Sequence, residues 1–258
     1  MLIDTHCHLD AAEFGGTQTE LVRDARAAGV QRIVIPAVER ANFGVVSALC
    51  QQFPACAPAY GIHPMYTDAA QPDDLASLRE YLAQPDTVAV GEIGLDFFID
   101  PYERARQEHF FVEQLKLAKE FGLPVLLHIR RAQDTLLKHL RQHRVVGGIA
   151  HAFNGSRQQA DEFIKLGFKL GFGGAMTYSR ATKLRELATT LPLEVIVLET
   201  DAPDIPPDFL ERGSPNKPEY LPRIAQTLAD LRGITPEEIA RHTTQNVLSV
   251  LPRLSLPD

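Results

Sequence analysis

The sequence predicts an α/β fold, a closed (β/α)8 TIM barrel, and three observations predict it. Eight apolar, mostly β-branched runs recur roughly every 30 residues, the spacing of successive strand-helix units. Stretches with helical periodicity separate them, and several of these end in a glycine that stops a helix. The runs are near-continuous rather than alternating, so each strand is buried on both faces, as in a parallel sheet covered by helices.

The runs, in order, are Leu2 to His6, Arg32 to Pro36, Ala57 to Gly61, Val88 to Glu92, Pro124 to His128, Val146 to His151, Phe168 to Phe172 and Val195 to Glu199. Between the first two, Leu21-Val22 with Ala25 and Ala28 gives a helical face before Gly29. Between the fifth and its predecessor, Phe110-Phe111 with Leu115, Ala118 and Phe121 does so before Gly122. After the eighth run, Ala202 to Pro218 holds prolines at 203, 206, 207, 215 and 218, which exclude regular structure and suit a segment draped over the C-terminal mouth. Two amphipathic helices, about Glu219 to Leu231 and Pro236 to Leu251, close the chain. The second begins well, with Thr235 as N-cap, Pro236 at the first position and Glu237-Glu238 in the first turn.

No Ser/Gly-rich linker divides the 258 residues, so one domain, residues 1 to 258, is expected. Asp4 and His6 interrupt what a signal peptide would need, and no apolar run approaches a membrane span, so a soluble, cytoplasmic protein with no membrane contact is expected. Cys7, Cys50 and Cys56 lack the pairing of a disulfide or zinc framework and read as reduced, buried thiols. A net charge of -7, from 26 Lys+Arg against 33 Asp+Glu, is the opposite of a protein that coats duplex DNA. A polyanionic substrate must then be held locally, by cations and a few basic side chains.

Five of the nine histidines fall at strand ends: His6, His8, His63, His128 and His151. The other four, His109, His139, His143 and His242, fall in helical stretches. In a strand, alternate side chains share a face, so His6 and His8 aim at one point while Cys7 points away. Glu92 closes the fourth run and Asp201 follows the eighth. In a barrel all these ends meet at the C-terminal mouth, where an unpaired ionisable group costs several kcal/mol. Imidazoles and carboxylates from five strand ends form the ligand set of a hydrolytic metal centre. Glu92, between two imidazole clusters, is placed to bridge two cations. A thiol hydrolase is disfavoured because Cys7 is wrongly aimed, and Gly171-Phe-Gly-Gly174 lacks the Lys-Ser/Thr of a phosphate loop.

Six ordered segments carry a resemblance. Ile3-Asp-Thr-His-Cys-His-Leu9, Gly61-Ile-His-Pro64, Gly91-Glu-Ile-Gly-Leu-Asp96, Pro124-Val-Leu-Leu-His128, His151-Ala-Phe-Asn-Gly-Ser156 and Leu198-Glu-Thr-Asp-Ala-Pro203 resemble the successive motifs of the TatD family of metal-dependent deoxyribonucleases, within the amidohydrolase-like barrels. The resemblance spans essentially the whole chain. It implies metal ligands at His6, His8, Glu92, His128, His151 and Asp201, the residues selected by strand-end position. Three departures concern the mouth: Ala152 stands where the family has Cys, Pro215-Asn-Lys-Pro218 replaces Arg-Asn-Glu-Pro, and Phe97-Phe98-Ile99 replaces more polar residues. The pattern is closer to the TatD-like branch.

The expected activity is a two-metal phosphodiesterase acting on DNA at single-stranded or frayed ends. His6 and His8 with Asp201 would hold one cation, His128 and His151 the other, and Glu92 would bridge. Glu92 and Asp201 are the catalytic carboxylates, with Asp201 orienting or deprotonating the attacking water. His63, Arg130 and Asn154 are expected to contact phosphate; the alternative for Arg130 and Arg131 is a solvated first turn of the fifth helix. Glu199 either reaches the cations or caps its strand, and Lys217 faces solvent. Zinc, iron, manganese and magnesium all suit the donors. No protein partner is required. Two rival readings are a small-molecule amidohydrolase, lactonase or phosphoesterase on the same centre, and a non-catalytic scaffold, which would need fewer carboxylates and no open position.

Overall fold

A computed structural model describes residues 1 to 98 and 103 to 256; Ile99 of the Phe97-Phe98-Ile99 run lies outside the described residues. Eight parallel strands join edge to edge in sequence order: β1 (Leu2–Asp4), β2 (Val30–Pro36), β3 (Cys56–Tyr60), β4 (Ala89–Asp96), β5 (Val125–Arg130), β6 (Gly148–Ala150), β7 (Phe168–Phe172) and β8 (Ile196–Leu198). Helices α1 (Gln18–Ala27), α2 (Arg40–Gln52), α3 (Pro72–Leu82), α4 (Arg104–Phe121), α5 (Gln133–Gln142), α6 (Arg157–Lys165) and α7 (Thr182–Thr190) alternate with them. The expected barrel is therefore present, with every strand within the run that forecast it or displaced by a few residues.

The last and first strands meet through a few bonds rather than a full ladder. Thr5 donates its amide (3.2 Å) and its hydroxyl (3.1 Å) to the Leu198 carbonyl, and an isolated parallel bridge joins Cys7 to Ala202. His6 and His8 thus lie just beyond β1, in an extended segment, and not in the strand itself. Their carbonyl and amide groups complete the seam: Asp201 N donates to His6 O (2.8 Å) and His8 N to Ala202 O (2.8 Å).

The helices α8 (Leu221–Arg232) and α9 (Pro236–Val250) follow the proline-rich segment. Thr235 caps α9 as expected, accepting from Glu238 N while the Glu238 carboxylate accepts from Thr235 N. Val247, Val250 and Leu251 join Ile3, Val34, Leu126, Ile149 and Val197 in one apolar cluster, so α9 packs on the barrel interior. It does so at the N-terminal end, where Asn246 donates to Leu193 O and Ile196 O at the entry to β8 and Thr244 donates to Met1 O. A larger cluster fills the layer between sheet and helices. With one end plugged, the opposite mouth is left for chemistry.

Two expectations about helices are corrected. His143 follows α5 as its C-cap, because the chain breaks from helical geometry there. Arg130 belongs to the end of β5, and Arg131, with φ of 54°, forms the turn before α5, so neither stands in the first turn of the fifth helix. Among the described residues no helix is long and apolar enough to cross a membrane.

Candidate metal centre

At the C-terminal mouth, four donors from β1, β4 and β8 converge. His6 Nε2 lies 3.3 Å from His8 Nε2, 3.1 Å from Glu92 Oε2 and 3.8 Å from Asp201 Oδ1. His8 Nε2 lies 3.6 Å from Glu92 Oε2 and 3.7 Å from Asp201 Oδ1. Donors bound at about 2.0 to 2.1 Å around a tetrahedral cation stand about 3.3 Å apart, so these edges fit one ion. Two ring nitrogens this close either share one proton or face a common cation, and the two carboxylates beside them suit a cation. Burial, with the nearby His151, pushes the pKa of His6 down, which favours the neutral ring that a cation requires.

Glu92 turns its two oxygens in different directions. While Oε2 meets His6 and His8, Oε1 lies 3.1 Å from His128 Nδ1 and 3.7 Å from His63 Nε2. Burial would raise its pKa, but His6, His63 and His128 hold it well below the usual carboxylate range. The far side of the His128 ring meets Asp96, whose Oδ2 lies 3.0 Å from His128 Nε2. Both ring nitrogens thus face carboxylates, and against the lowering effect of burial Asp96 and Glu92 raise the His128 pKa; a cation bound at Nδ1 would leave the Nε2 proton to Asp96, the carboxylate-histidine arrangement that orients metal ligands. Gly94 makes it possible: at φ of 154°, any Cβ there would overlap the His128 carbonyl.

His63 behaves differently. Its Nδ1 accepts from Met65 N at 3.2 Å, so the neutral ring carries its proton on Nε2. Burial, reinforced by His128, pushes its pKa down to about 3 and keeps the ring neutral. It therefore presents a donor, not a lone pair.

His151 stacks on His6 with ring centroids 3.6 Å apart, its Nε2 lying 3.5 Å from Asp201 Oδ1 and its Nδ1 3.1 Å from Glu199 Oε1. Burial opposes its charge, yet Glu199 and Asp201 outweigh it and raise its pKa well above the ordinary value. Among the described residues, donor groups that close to within one ion's reach include His6, His8 and Asp201; His6, Glu92 and His151; and His63, Glu92 and His128. His151 sits on the His6 side of the mouth, while His128 sits on the His63 side.

Asp201 occupies the left-handed region at φ of 59°, which aspartate tolerates, and this aims its carboxylate into the centre. Behind it, Asp4 accepts from Thr200 N (2.9 Å), Thr200 Oγ1 (2.6 Å) and His6 N (3.3 Å), while Asn216 Nδ2 donates to Thr200 O (2.7 Å). Burial pushes the Asp4 carboxyl up to about 7 despite these bonds. Glu199 Oε1 also accepts from Ala152 N at 2.6 Å, so Glu199 both ties the β6 loop and faces His151. Asn154 is exposed at the mouth beside a cavity of about 130 Å³ lined by Glu199, Asp201 and Ile205. Lys217 reaches Glu219, 3.6 Å away, rather than the centre. Burial raises the Cys7 thiol well above its ordinary pKa, which removes it as a nucleophile.

Asp96 received no role from the sequence, although it lies four residues beyond Glu92 on a strand and so on the same face. Gln107, Gln114 and Asn216 were equally silent, since an amide in a helix or loop reads as solvated surface.

A family model described as TatD related DNase matches residues 3 to 252. The chain belongs to the TatD family. This TatD-family protein is 42% identical over 251 residues to the Escherichia coli protein named uncharacterized metal-dependent hydrolase YjjV, covering 96% of each chain. It is 32% identical over 251 residues to the 3'-5' ssDNA/RNA exonuclease TatD of Citrobacter rodentium, covering 95% of each. The crystal structure of YjjV from E. coli superposes with a TM-score of 0.93 at 41% identity, covering 97% of this chain and 98% of that one. The TatD-family protein is accordingly a metal-dependent hydrolase, an enzyme acting on ester bonds.

Proposed function

We propose that the protein is a two-cation phosphodiesterase that cleaves DNA at single-stranded or frayed ends. The observation that carries this reading is the split engagement of Glu92, one oxygen toward His6 and His8 and the other toward His128. His6, His8, Glu92 and Asp201 would hold the first ion; Glu92 and His128 would hold the second, with His151 adjoining. Bound divalent cations would neutralise phosphoryl charge and make water a nucleophile near neutral pH.

The protein's own groups then divide the remaining work. Asp201 stays ionised, because His151, His6 and His8 outweigh the effect of its burial, and its carboxylate can accept the proton of the attacking water. His63 donates Nε2–H to a phosphoryl oxygen, a role suited to its neutral tautomer. Asn154 and Arg130 stand at the mouth to meet the flanking chain. The exonuclease name borne by a relative of 32% identity supports a nucleic-acid substrate.

The test is a panel of end-labelled single-stranded and duplex oligonucleotides, lactones and small phosphoesters, assayed with magnesium, manganese and zinc. Single strands should be cleaved best. Hydrolysis confined to lactones or small phosphoesters would refute the nuclease reading while keeping the hydrolase.

A further inference from the structure

Phe97 and Phe98 leave β4 at the mouth, and three arginines from two elements gather on their rings. The guanidinium carbons of Arg130 and Arg131 lie 3.8 and 4.4 Å from the Phe98 ring centroid, and that of Arg104 lies 4.7 Å from the Phe97 ring. Phe98 is 45% exposed, so its ring is not there to fill a core. Stacking on a ring holds a guanidinium plane flat and leaves its N–H edge open to an anion.

What sets these arginines apart is their gathering on neighbouring rings at the mouth; among the described residues none of the three has a carboxylate within ion-pair distance to neutralise it. Three such cations on consecutive rings, in a chain of net charge -7, concentrate positive charge at one edge of the mouth. The nearby carboxylate is Asp96, buried beneath them and engaged by His128 and by Phe98 N at 2.9 Å. Phe97 N donates to Arg130 O at 2.8 Å, which locks the two strand ends together.

We infer that Phe97, Phe98, Arg104, Arg130 and Arg131 form a subsite for single-stranded nucleic acid, taking phosphates on guanidinium edges and bases on the exposed ring and guanidinium planes. The inference rests on the phosphodiesterase reading. Phe98 N lies 2.9 Å from Asp96 Oδ1, and Asp96 Oδ2 lies 3.0 Å from His128 Nε2, so one side chain stands between the subsite and the second group of donors, and the subsite engages nucleotides flanking the scissile linkage rather than the linkage itself. An acidic peptide would satisfy the charges but would leave the ring without a stacking partner.

The test measures fluorescence anisotropy of labelled oligothymidylates of two to twelve nucleotides on manganese-loaded protein carrying Asp201→Asn to prevent turnover. Affinity should rise with length. Phe98→Ala should weaken the twelve-nucleotide strand about tenfold or more and the dinucleotide less than twofold, while Phe98→Trp should restore or tighten binding. Arg131→Asn, which keeps the left-handed turn, should make the salt slope shallower by about 0.7. Unchanged length dependence in Phe98→Ala and Arg131→Asn, with single strands still cleaved by wild type, overturns the subsite alone. Equal loss at every length in both variants makes the residues structural and also overturns it, as does a polyglutamate peptide that competes as well as the oligonucleotide. No affinity of the Asp201→Asn protein and no cleavage by wild type, for any strand, removes both readings.

Discussion

Gln107 and Gln114 stand seven residues apart on α4, and each amide grips both backbone polar groups of one strand-end residue. Gln107 accepts from Asp96 N at 2.9 Å and donates to Asp96 O at 3.0 Å; Gln114 accepts from Ile62 N at 2.7 Å and donates to Ile62 O at 3.0 Å. Two helical turns put both on one face, so a single helix sets the position of Asp96 behind His128 and of Ile62 before His63.

Replacing either amide strands a buried peptide group, at about 1 to 3 kcal/mol each. Gln107→Ala is expected to lower thermal stability and to lower the occupancy of the second cation more than that of the first, because Asp96 moves and His128 loses its partner. Unfolding midpoints and elemental analysis, read together, check this. Equal retention of both ions in a destabilised variant would confine Gln107 to stability.

His128→Ala should reduce cation content from about two per chain toward one, since His6, His8 and Asp201 make no use of His128. Full occupancy in the variant would sink the assignment of the second ion.

Asp201→Asn keeps the shape of the side chain and should preserve the fold, yet turnover should fall by about 10²- to 10⁴-fold, the usual worth of a general base. Glu199→Gln should lose less. A kcat for Asp201→Asn within a few-fold of wild type would contradict the proposed proton transfer.

Gly94→Ala forces a Cβ into the His128 carbonyl, so β4 and β5 must part. A cost of about 1 to 3 kcal/mol is expected, with activity falling further than stability because the displaced residue is His128, the proposed ligand of the second ion. Circular dichroism melts beside kinetic constants separate the two.

Burial pushes the Cys56 thiol from an ordinary value of 9.0 up to about 12, against the opposing charge of Arg32. The folded chain therefore keeps this proton through a range in which the unfolded chain has lost it, so this contribution to stability is complete below pH 9 and fades as pH rises toward 12. Urea midpoints between pH 8 and 11 should show the decline, and Cys56→Ala should remove part of it. Alkylation at pH 8 should be at least about a hundredfold slower in native than in unfolded protein.

The barrel and the convergence of the six strand-end candidates were legible because a parallel (β/α)8 fold brings residues distant in sequence to one mouth, so that His6, Glu92 and Asp201 need only follow an apolar run to be picked out. Partnership within the mouth was not legible. The orientation of the His63 ring depends on Met65 N, and the division of Glu92 between two histidine groups depends on side-chain torsions, neither of which leaves a periodic trace. Gln107 and Gln114 look like any polar residues on a surface helix; only the tertiary packing of α4 turns them inward. The choice left open for Arg130 and Arg131 turned on a backbone torsion, the left-handed turn at Arg131 that precedes the start of α5 at Gln133.

The seam between β8 and β1 joins residues nearly two hundred positions apart, and the bonds that shut it, Asp201 N to His6 O and His8 N to Ala202 O, run through residues proposed to hold the first ion. Closing the wall and building the pocket are one event. A chain emerging from the ribosome therefore carries His6 and His8 long before it carries their carboxylate partner from β8. Synthesis itself thus acts as a timer, and no partial product can bring these donors together.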